Sequence, residues 1–341
     1  MTNKKIPWSL IIRFVVTAAV LLFVYISNRD GWPEFRRNLE HSQFVWLLAA
    51  FASYAITNLL GVWRWYILLK NCGAYMPLSK TFRLVMIGLF TNNFLPGAMS
   101  GDVIKGIYAT REKPDMKPTV IMSIVMERLL GFGAMFIVST ALILNRYEKL
   151  CATPLTNISV HIYLALFAVG MIVLALTKWT NIARIFPFWK KLPFQNWLSE
   201  AGQAYQVFIK HPACFWGGMF LSAFAHLFLI LTFYFISLAL TMNLDFFDLA
   251  AVLPFIAILT IIPATINGFG IREVAFQQFL LFVGMTKTSS ATLSLCGGFI
   301  IILFGLLGGP IYLRYKTTPT ATPDADNPHS ASDSPNDKTR S

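Results

Sequence analysis

The feature that most constrains this chain is the length of its uncharged stretches. From Pro212 to Leu240, and again from Thr288 to Leu313, there is no Asp, Glu, Lys or Arg. A helix rises 1.5 Å per residue and the hydrocarbon core of a bilayer is about 30 Å thick, so about 20 apolar residues complete one crossing. With 56% hydrophobic and 13% charged residues, the chain reads as an all-α, polytopic membrane protein and not as a water-soluble helical one. About six crossing helices are expected, over 8–27, 44–69, 118–144, 158–177, 212–240 and 288–313. The first follows Lys4 and Lys5, but no small-x-small cleavage site comes after it, so it reads as a retained helix.

Sidedness follows from the cations. Placing the N-terminus in the cytoplasm puts loops 70–117 and 178–211 and the C-terminal tail there as well. Those regions hold most of the Lys and Arg, among them Lys70, Lys80, Arg83, Lys105, Arg111, Lys190, Lys191 and Arg314; Arg29, Arg36, Arg37, Arg146 and Lys149 are the main cations left outside. The positive-inside rule therefore predicts both termini cytoplasmic. The net charge of +12 is then loop charge facing anionic headgroups, and no nucleic-acid partner is inferred. In loop 178–211, Trp197, Ala201, Ala204, Tyr205 and Phe208 share one face of a helix expected to lie in the interface. From Thr317 onward the sequence is polar and aperiodic, which predicts a membrane domain over 1–316 and a disordered tail over 317–341.

Two apolar stretches, about 84–110 and 246–285, are too broken for ordinary spans. Each reads as a re-entrant hairpin of half-helices that returns to its own side. Pro96, Gly101 and Lys105 give P-x4-G-x3-K; Pro263, Gly268 and Arg272 give P-x4-G-x3-R. An odd number of crossings separates the two copies, so the hairpins are expected to be inverted, as the broken helices of secondary transporters are. Pro96 and Pro263 each remove a backbone donor, and glycines such as Gly97, Gly101, Gly268 and Gly270 let the chain curl. The N-terminus of the following half-helix is expected to present free N–H groups and partial positive charge, with Lys105 or Arg272 beside it. That combination suits a phosphate, and irregular backbone at this depth requires a protein or a wet cavity against it. The competing reading is that the breaks only let helices cross closely.

Glu127 and Arg128 interrupt the run 118–144 about 15 Å from its cytoplasmic end. Each such charge costs at least ~2.5–3.5 kcal/mol near the bilayer centre. Adjacent residues on a helix do not face one another, so partners are expected among Asp102, Lys105, Arg272 and Glu273. Either these charges pair and pin the hairpins to the helix, or cations remain available for an anionic headgroup while a carboxylate is released or protonated. Bidentate geometry favours Arg128 and Arg272 as phosphate ligands over Lys105. His226 is either a proton shuttle or a hydrogen-bonded structural residue. Arg64, between Trp63 and Trp65, is expected to snorkel toward cytoplasmic headgroups. Asn92, Asn93 and Asn267 are expected to bond freed carbonyls or line a cavity, and Gly305 and Gly309 to mark close helix packing.

Cys72, Cys151, Cys214 and Cys296 form no paired motif, so neither a disulfide nor a metal is inferred. There is no nucleotide-binding loop, H-E-x-x-H or G-x-S-x-G, and hence no expected cofactor or catalytic residue. Asp30 and Glu34 in the first outer loop are weak grounds for a glycosyltransferase.

The stretches "GLFTNNFLPGAMSGDVIK", "ERLLG" and "PATINGFGIRE", in this order between apolar runs, resemble the family named for the transmembrane region of lysylphosphatidylglycerol synthases, also called flippase-like domain proteins. The resemblance covers about residues 8–315. The family's N-x-x-L-P-G turn matches Asn92, Leu95, Pro96 and Gly97, and its G-G-D matches Ser100, Gly101 and Asp102, with serine replacing the first glycine. The basic residue that follows is Lys105, and the acidic-Arg-Leu motif matches Glu127, Arg128 and Leu129. The second turn is similar at Pro263, Asn267, Gly268, Gly270, Arg272 and Glu273, with Asn267 where a glycine is common.

The resemblance implies translocation of an anionic lipid, such as a phospholipid or a polyprenyl phosphate, across a bacterial inner membrane. In this expectation Lys105, Arg128 and Arg272 bind the headgroup, and Asp102, Glu127 and Glu273 position them or accept protons. The synthases carry a soluble aminoacyl-transferase domain after the membrane part; here a short tail follows, so lysine transfer is not expected of this polypeptide. The alternatives are a membrane enzyme or accessory subunit for lipid-linked glycan, hopanoid or phospholipid precursors, working with envelope-biosynthesis enzymes, and an ion-coupled transporter of a small anion.

Overall fold

The computed structural model describes residues 22, 26, 31–95, 100–179, 212–261, 265 and 267–315. The expected crossing helix 8–27 (apart from Leu22 and Ile26), Pro96, Gly97, Pro263, the apolar face centred on Trp197 and the polar tail lie outside the described residues. In chain order the α-helices are α1 (Trp32–Glu40), α2 (Phe44–Asn71), α3 (Leu78–Asn92), α4 (Ser100–Glu112), α5 (Lys117–Asn145), α6 (Tyr147–Leu150), α7 (Pro154–Trp179), α8 (Pro212–Ala239), α9 (Phe246–Ile261), α10 (Ile271–Phe279), α11 (Lys287–Leu306) and α12 (Gly309–Arg314). No strand occurs among the described residues.

Five stretches are long and apolar enough to cross a membrane: Phe44–Asn71, Pro114–Asn145, Pro154–Ile172, Cys214–Ala239 and Lys287–Arg314. They coincide with five of the six expected crossings. A helix of 28 residues such as α2 is ~42 Å long, enough for the hydrocarbon core and both headgroup zones. The most extensive packing is between α2 and α8, which run antiparallel. Gln43 N–H donates to the Ala239 carbonyl at 2.9 Å at one end. The Ser53 hydroxyl donates to the Phe228 carbonyl at 2.8 Å and that of Thr57 to Ala225 at 3.4 Å further along. Small residues on α2, Ala50 and Ser53, let the backbones approach, and the hydroxyls satisfy carbonyls where no water can.

The two broken stretches are hairpins. In the first, α3 and α4 are packed closely, with Lys80 Nζ 2.5 Å from Glu112 Oε2 at its base. A Cβ on Gly101 would lie 2.1 Å from the Gly88 carbonyl oxygen. The helices therefore touch backbone to backbone, which only glycine permits. In the second, α9 turns into α10 through Asn267 (φ 49°), Gly268 (φ 74°) and Gly270 (φ 87°), left-handed backbone that favours glycine and tolerates asparagine. With 15 and 13 residues in the first hairpin and 16 and 9 in the second, no half-helix exceeds ~24 Å. None crosses alone.

Their bases lie at opposite ends of α5. The first hairpin leads through Pro114–Met116 into the start of α5. Beyond its end, Arg146 pairs with Asp245 at 2.8 Å and Asp248 at 3.0 Å, and Lys149 pairs with Asp248 at 3.1 Å, at the base of the second. Their tips meet: Asn92 Nδ2 donates to Asn267 Oδ1 and Asn267 Nδ2 to Asn93 Oδ1, each at 3.3 Å. Helix α11 braces both through glycines. A Cβ at Gly298 would lie 2.1 Å from the Arg272 guanidinium, and one at Gly305 would lie 2.4 Å from Asn93 Nδ2. Close packing at Gly305 and Gly309 agrees with the sequence expectation, Gly309 lying against Phe90. On the outer corner, Glu34 of α1 accepts from the hydroxyls of Thr286 (2.8 Å) and Ser289 (2.7 Å), which anchors α1 to the start of α11.

Candidate functional site

Beside the tip of the first hairpin, five charged side chains from three helices form one chain of ion pairs. Glu127 of α5 accepts from Lys105 of α4 at 2.7 Å through Oε2 and from Arg64 of α2 at 3.1 Å through Oε1. Lys105 also reaches Asp102 at 3.2 Å, one turn back on α4, and packs 4.4 Å from the centre of the Trp65 ring. Asp102 in turn holds Arg128 of α5 through a short contact. Arg64 extends the chain to α8, donating to the Ser222 hydroxyl at 2.8 Å. As expected from helix geometry, Glu127 and Arg128 turn away from each other. Three cations against two carboxylates leave this cluster one positive charge.

Burial within the cluster is uneven. Lys105 is 4% exposed and Glu127 8%, but the Arg128 side chain is 41% exposed. The cluster therefore has a closed end at Arg64 and an open end at Arg128. Glu127 is ten positions from the start of α5, ~15 Å along the axis, and ~27 Å from its other end. The charges thus lie within the span but nearer the base of the first hairpin than the second.

The second hairpin uses its cation differently. Arg272 does not join the cluster. Its guanidinium reaches Glu273 Oε1 at 3.1 Å and the Ser294 hydroxyl at 3.2 Å, and stacks 4.8 Å over Phe269. Adjacent charges meet here because both stand in the first turn of α10, where Glu273 bends back to accept from the Gly270 N–H and the ladder is not yet complete. Ser294 also donates to Glu273 Oε1 at 2.8 Å. Glu273 is fully buried and the pair is neutral. The expected set of six mutually balancing charges is thus split, with Arg272 and Glu273 apart from Asp102, Lys105, Glu127 and Arg128.

Three further expectations change. Arg64 does not snorkel: it turns inward to Glu127 and Ser222, because a carboxylate in an apolar wall attracts the guanidinium more strongly than distant headgroups do. The N–H groups at the breaks are not all free. Gly101 N–H (3.2 Å) and the Ser100 hydroxyl (3.0 Å) both donate to Asn92 Oδ1, and Gly270 N–H is taken by Glu273. Asn93 does bond a carbonyl, but that of Ile302 on α11, at 3.2 Å. His226 is buried with Nε2 3.2 Å from the Ser139 hydroxyl, a link between α8 and α5. Arg64 is the member that sequence reasoning missed. Its only signal was a charge inside an apolar run, the same signal that marked Glu127.

Against known proteins, the family described as the lysylphosphatidylglycerol synthase TM region matches residues 10–309. No curated protein matches the chain. The matched span takes in both hairpins, the five-membered cluster and the helix that braces them.

Proposed function

The chain belongs to the lysylphosphatidylglycerol synthase transmembrane-region family, and on that premise we propose that it moves an anionic, phosphate-bearing lipid between membrane leaflets. The headgroup engages Arg128, backed by Lys105 and Arg64, while its hydrocarbon tails stay in the bilayer. One observation carries this reading: Arg128 is 41% exposed beside four more deeply buried charges in an apolar wall. A cation kept open at that depth costs free energy that a purely structural pair avoids by closing. The guanidinium offers the planar, bidentate geometry that phosphate oxygens take.

The two hairpins form an inverted pair in this proposal, and their touching tips form the barrier between the leaflets. Separation of the Asn92, Asn93 and Asn267 amides opens a polar route, and these neutral bonds are far easier to exchange than ion pairs. The membrane is a bacterial inner membrane, with both termini cytoplasmic and envelope-biosynthesis enzymes as the consumers of the moved lipid. Arg272 and Glu273 hold the second turn in shape and do not bind the headgroup. The protein is a translocase and not an enzyme.

The test is reconstitution into vesicles with fluorescent anionic lipids in one leaflet. Exchange without ATP is expected. Inertness toward every anionic phospholipid and polyprenyl phosphate would remove the proposal, and conversion of a labelled lipid to a new mass would replace it with an enzyme.

A further inference from the structure

We propose that Asp102 holds the place of the headgroup phosphate on Arg128, and that the site takes a phosphodiester carrying one negative charge. This rests on the translocation reading above. The two carboxylates of the cluster differ in how they are held. Glu127 is closed on both sides, by Lys105 at 2.7 Å and Arg64 at 3.1 Å, and Arg64 is itself tied to Ser222. Moving Glu127 would strip two buried cations at once. Asp102 bridges Lys105 at 3.2 Å and Arg128. Letting go of Arg128 strips only the exposed cation, and Lys105 still holds the released carboxylate. Asp102 also stands in the first turn of α4, where the helix dipole favours negative charge whether or not Arg128 is bound.

Carboxylate and phosphate oxygens make the same kind of charge-assisted bond to a guanidinium. An arriving phosphate therefore exchanges one anion for another on Arg128. The displaced Asp102 stays tethered one turn away and competes to return. A translocator must release its ligand as well as bind it, and a tethered competitor supplies the release.

Charge sets the ligand class. The surplus of one positive charge among the described residues of the cluster is neutralised by one phosphodiester. A phosphomonoester above its second pKa, about 6, carries nearly two charges and would leave one unpaired in an apolar wall. Val103 and Leu129, the sequence neighbours of Asp102 and Arg128, are 64% and 53% exposed. The apolar part of a lipid has a surface beside the site, which a soluble phosphodiester would leave bare.

The experiment uses vesicles holding wild-type protein, Asp102→Asn or Asp102→Glu, with fluorescent phosphatidylglycerol or phosphatidic acid at about pH 8, above the second phosphate pKa. Wild-type protein is expected to exchange phosphatidylglycerol about tenfold faster than phosphatidic acid. Asp102→Asn is expected to half-saturate at a roughly tenfold lower phosphatidylglycerol fraction, with a lower maximal rate, since one competing charge-assisted bond is gone. Asp102→Glu is expected to restore both parameters. Equal exchange of the two lipids by wild-type protein, a comparison that needs no variant, overturns the charge matching. A lower maximal rate at unchanged half-saturation makes Asp102 merely structural. Block by soluble glycerophosphoglycerol would move the ligand from the bilayer to water. A wild-type protein that exchanges neither lipid overturns the phosphodiester assignment, and one inert also toward every other anionic phospholipid and polyprenyl phosphate removes the translocation reading itself.

Discussion

The two hairpins carry the same spacing of proline, glycine and cation, yet their cations do opposite things. In the second, Arg272 is closed onto its own neighbour, with Glu273 fully buried, Ser294 and Phe269 around it, and Gly298 leaving room for the guanidinium. In the first, Lys105 is shared with α5 and through Glu127 with α2, and the series ends at an exposed Arg128. A shared spacing therefore does not fix the chemistry: Gly101 lies within α4, whereas Gly268 stands in the turn at φ 74°. What decides the chemistry is the residue next to the cation. Glu273 follows Arg272 directly and neutralises it within the turn, whereas Asp102 precedes Lys105 by one helical turn and divides itself between two cations.

The sharpest way to break this contrast is to unpair the second hairpin. Glu273→Gln leaves Arg272 buried without its carboxylate, so a loss of about 3–5 kcal/mol is expected, read as a large fall in the Tm of purified protein. Arg272→Gln should behave similarly. If either variant keeps wild-type stability, the second pair is not a structural lock. A smaller effect is expected at the backbone contact of the first hairpin. Gly101→Ala drives a methyl to within 2.1 Å of the Gly88 carbonyl, and overpacking of this kind costs about 1–3 kcal/mol, measurable by thermal scanning in detergent.

At the junction of the two hairpins, Asn267→Gly removes two long amide bonds without straining the left-handed backbone at φ 49° and is expected to cost only about 1 kcal/mol. Its clearer readout is a faster lipid exchange, since the tips then separate more easily. A slower exchange would argue against the tips as a barrier.

The smallest effect concerns the clamp at the base of the second hairpin. Burial pushes the Asp245 carboxyl up, but the Arg146 hydrogen bond and the Asp248 and Phe247 amides outweigh it and hold the group below the ordinary carboxylate range. A depressed carboxylate contributes stability above its unfolded pKa, about 3.9, which is lost as pH falls through the folded value. Arg146→Gln should therefore lower Tm slightly near neutrality and flatten the acid loss. An unchanged acid profile would show that Arg146 does not set this group.

Much of the fold was legible because its signals are local. The long apolar runs predicted the five helices that are long and apolar enough to cross, and Pro, Gly and Asn at the breaks announced hairpins whose length forbids crossing. The odd number of crossings between them led to bases at opposite ends of α5. The pairing of charges was legible only in part. Asp102 and Lys105 stood among four candidate partners for Glu127 and Arg128, because few other charges were available at that depth, but Arg272 and Glu273 stood there equally and pair with each other instead. Arg64 was not among the candidates, because its tryptophan neighbours suggested an interface, and its partners lie 63 and 158 positions away. The capping roles of Asn92 and Glu273 were hidden for another reason. A break reads as a place where N–H groups are freed, but side chains close by in the turn take those groups first.

Arg128→Gln tests the central contrast most directly, in vesicles where lipid exchange and protein folding are measured on the same sample. Since its ion pair is partly exposed, a stability change of no more than about 1 kcal/mol is expected, with exchange falling to the level of protein-free vesicles. A folded Arg128→Gln protein that exchanges anionic lipid at the wild-type rate would contradict the assignment of the open end of the cluster as the headgroup site.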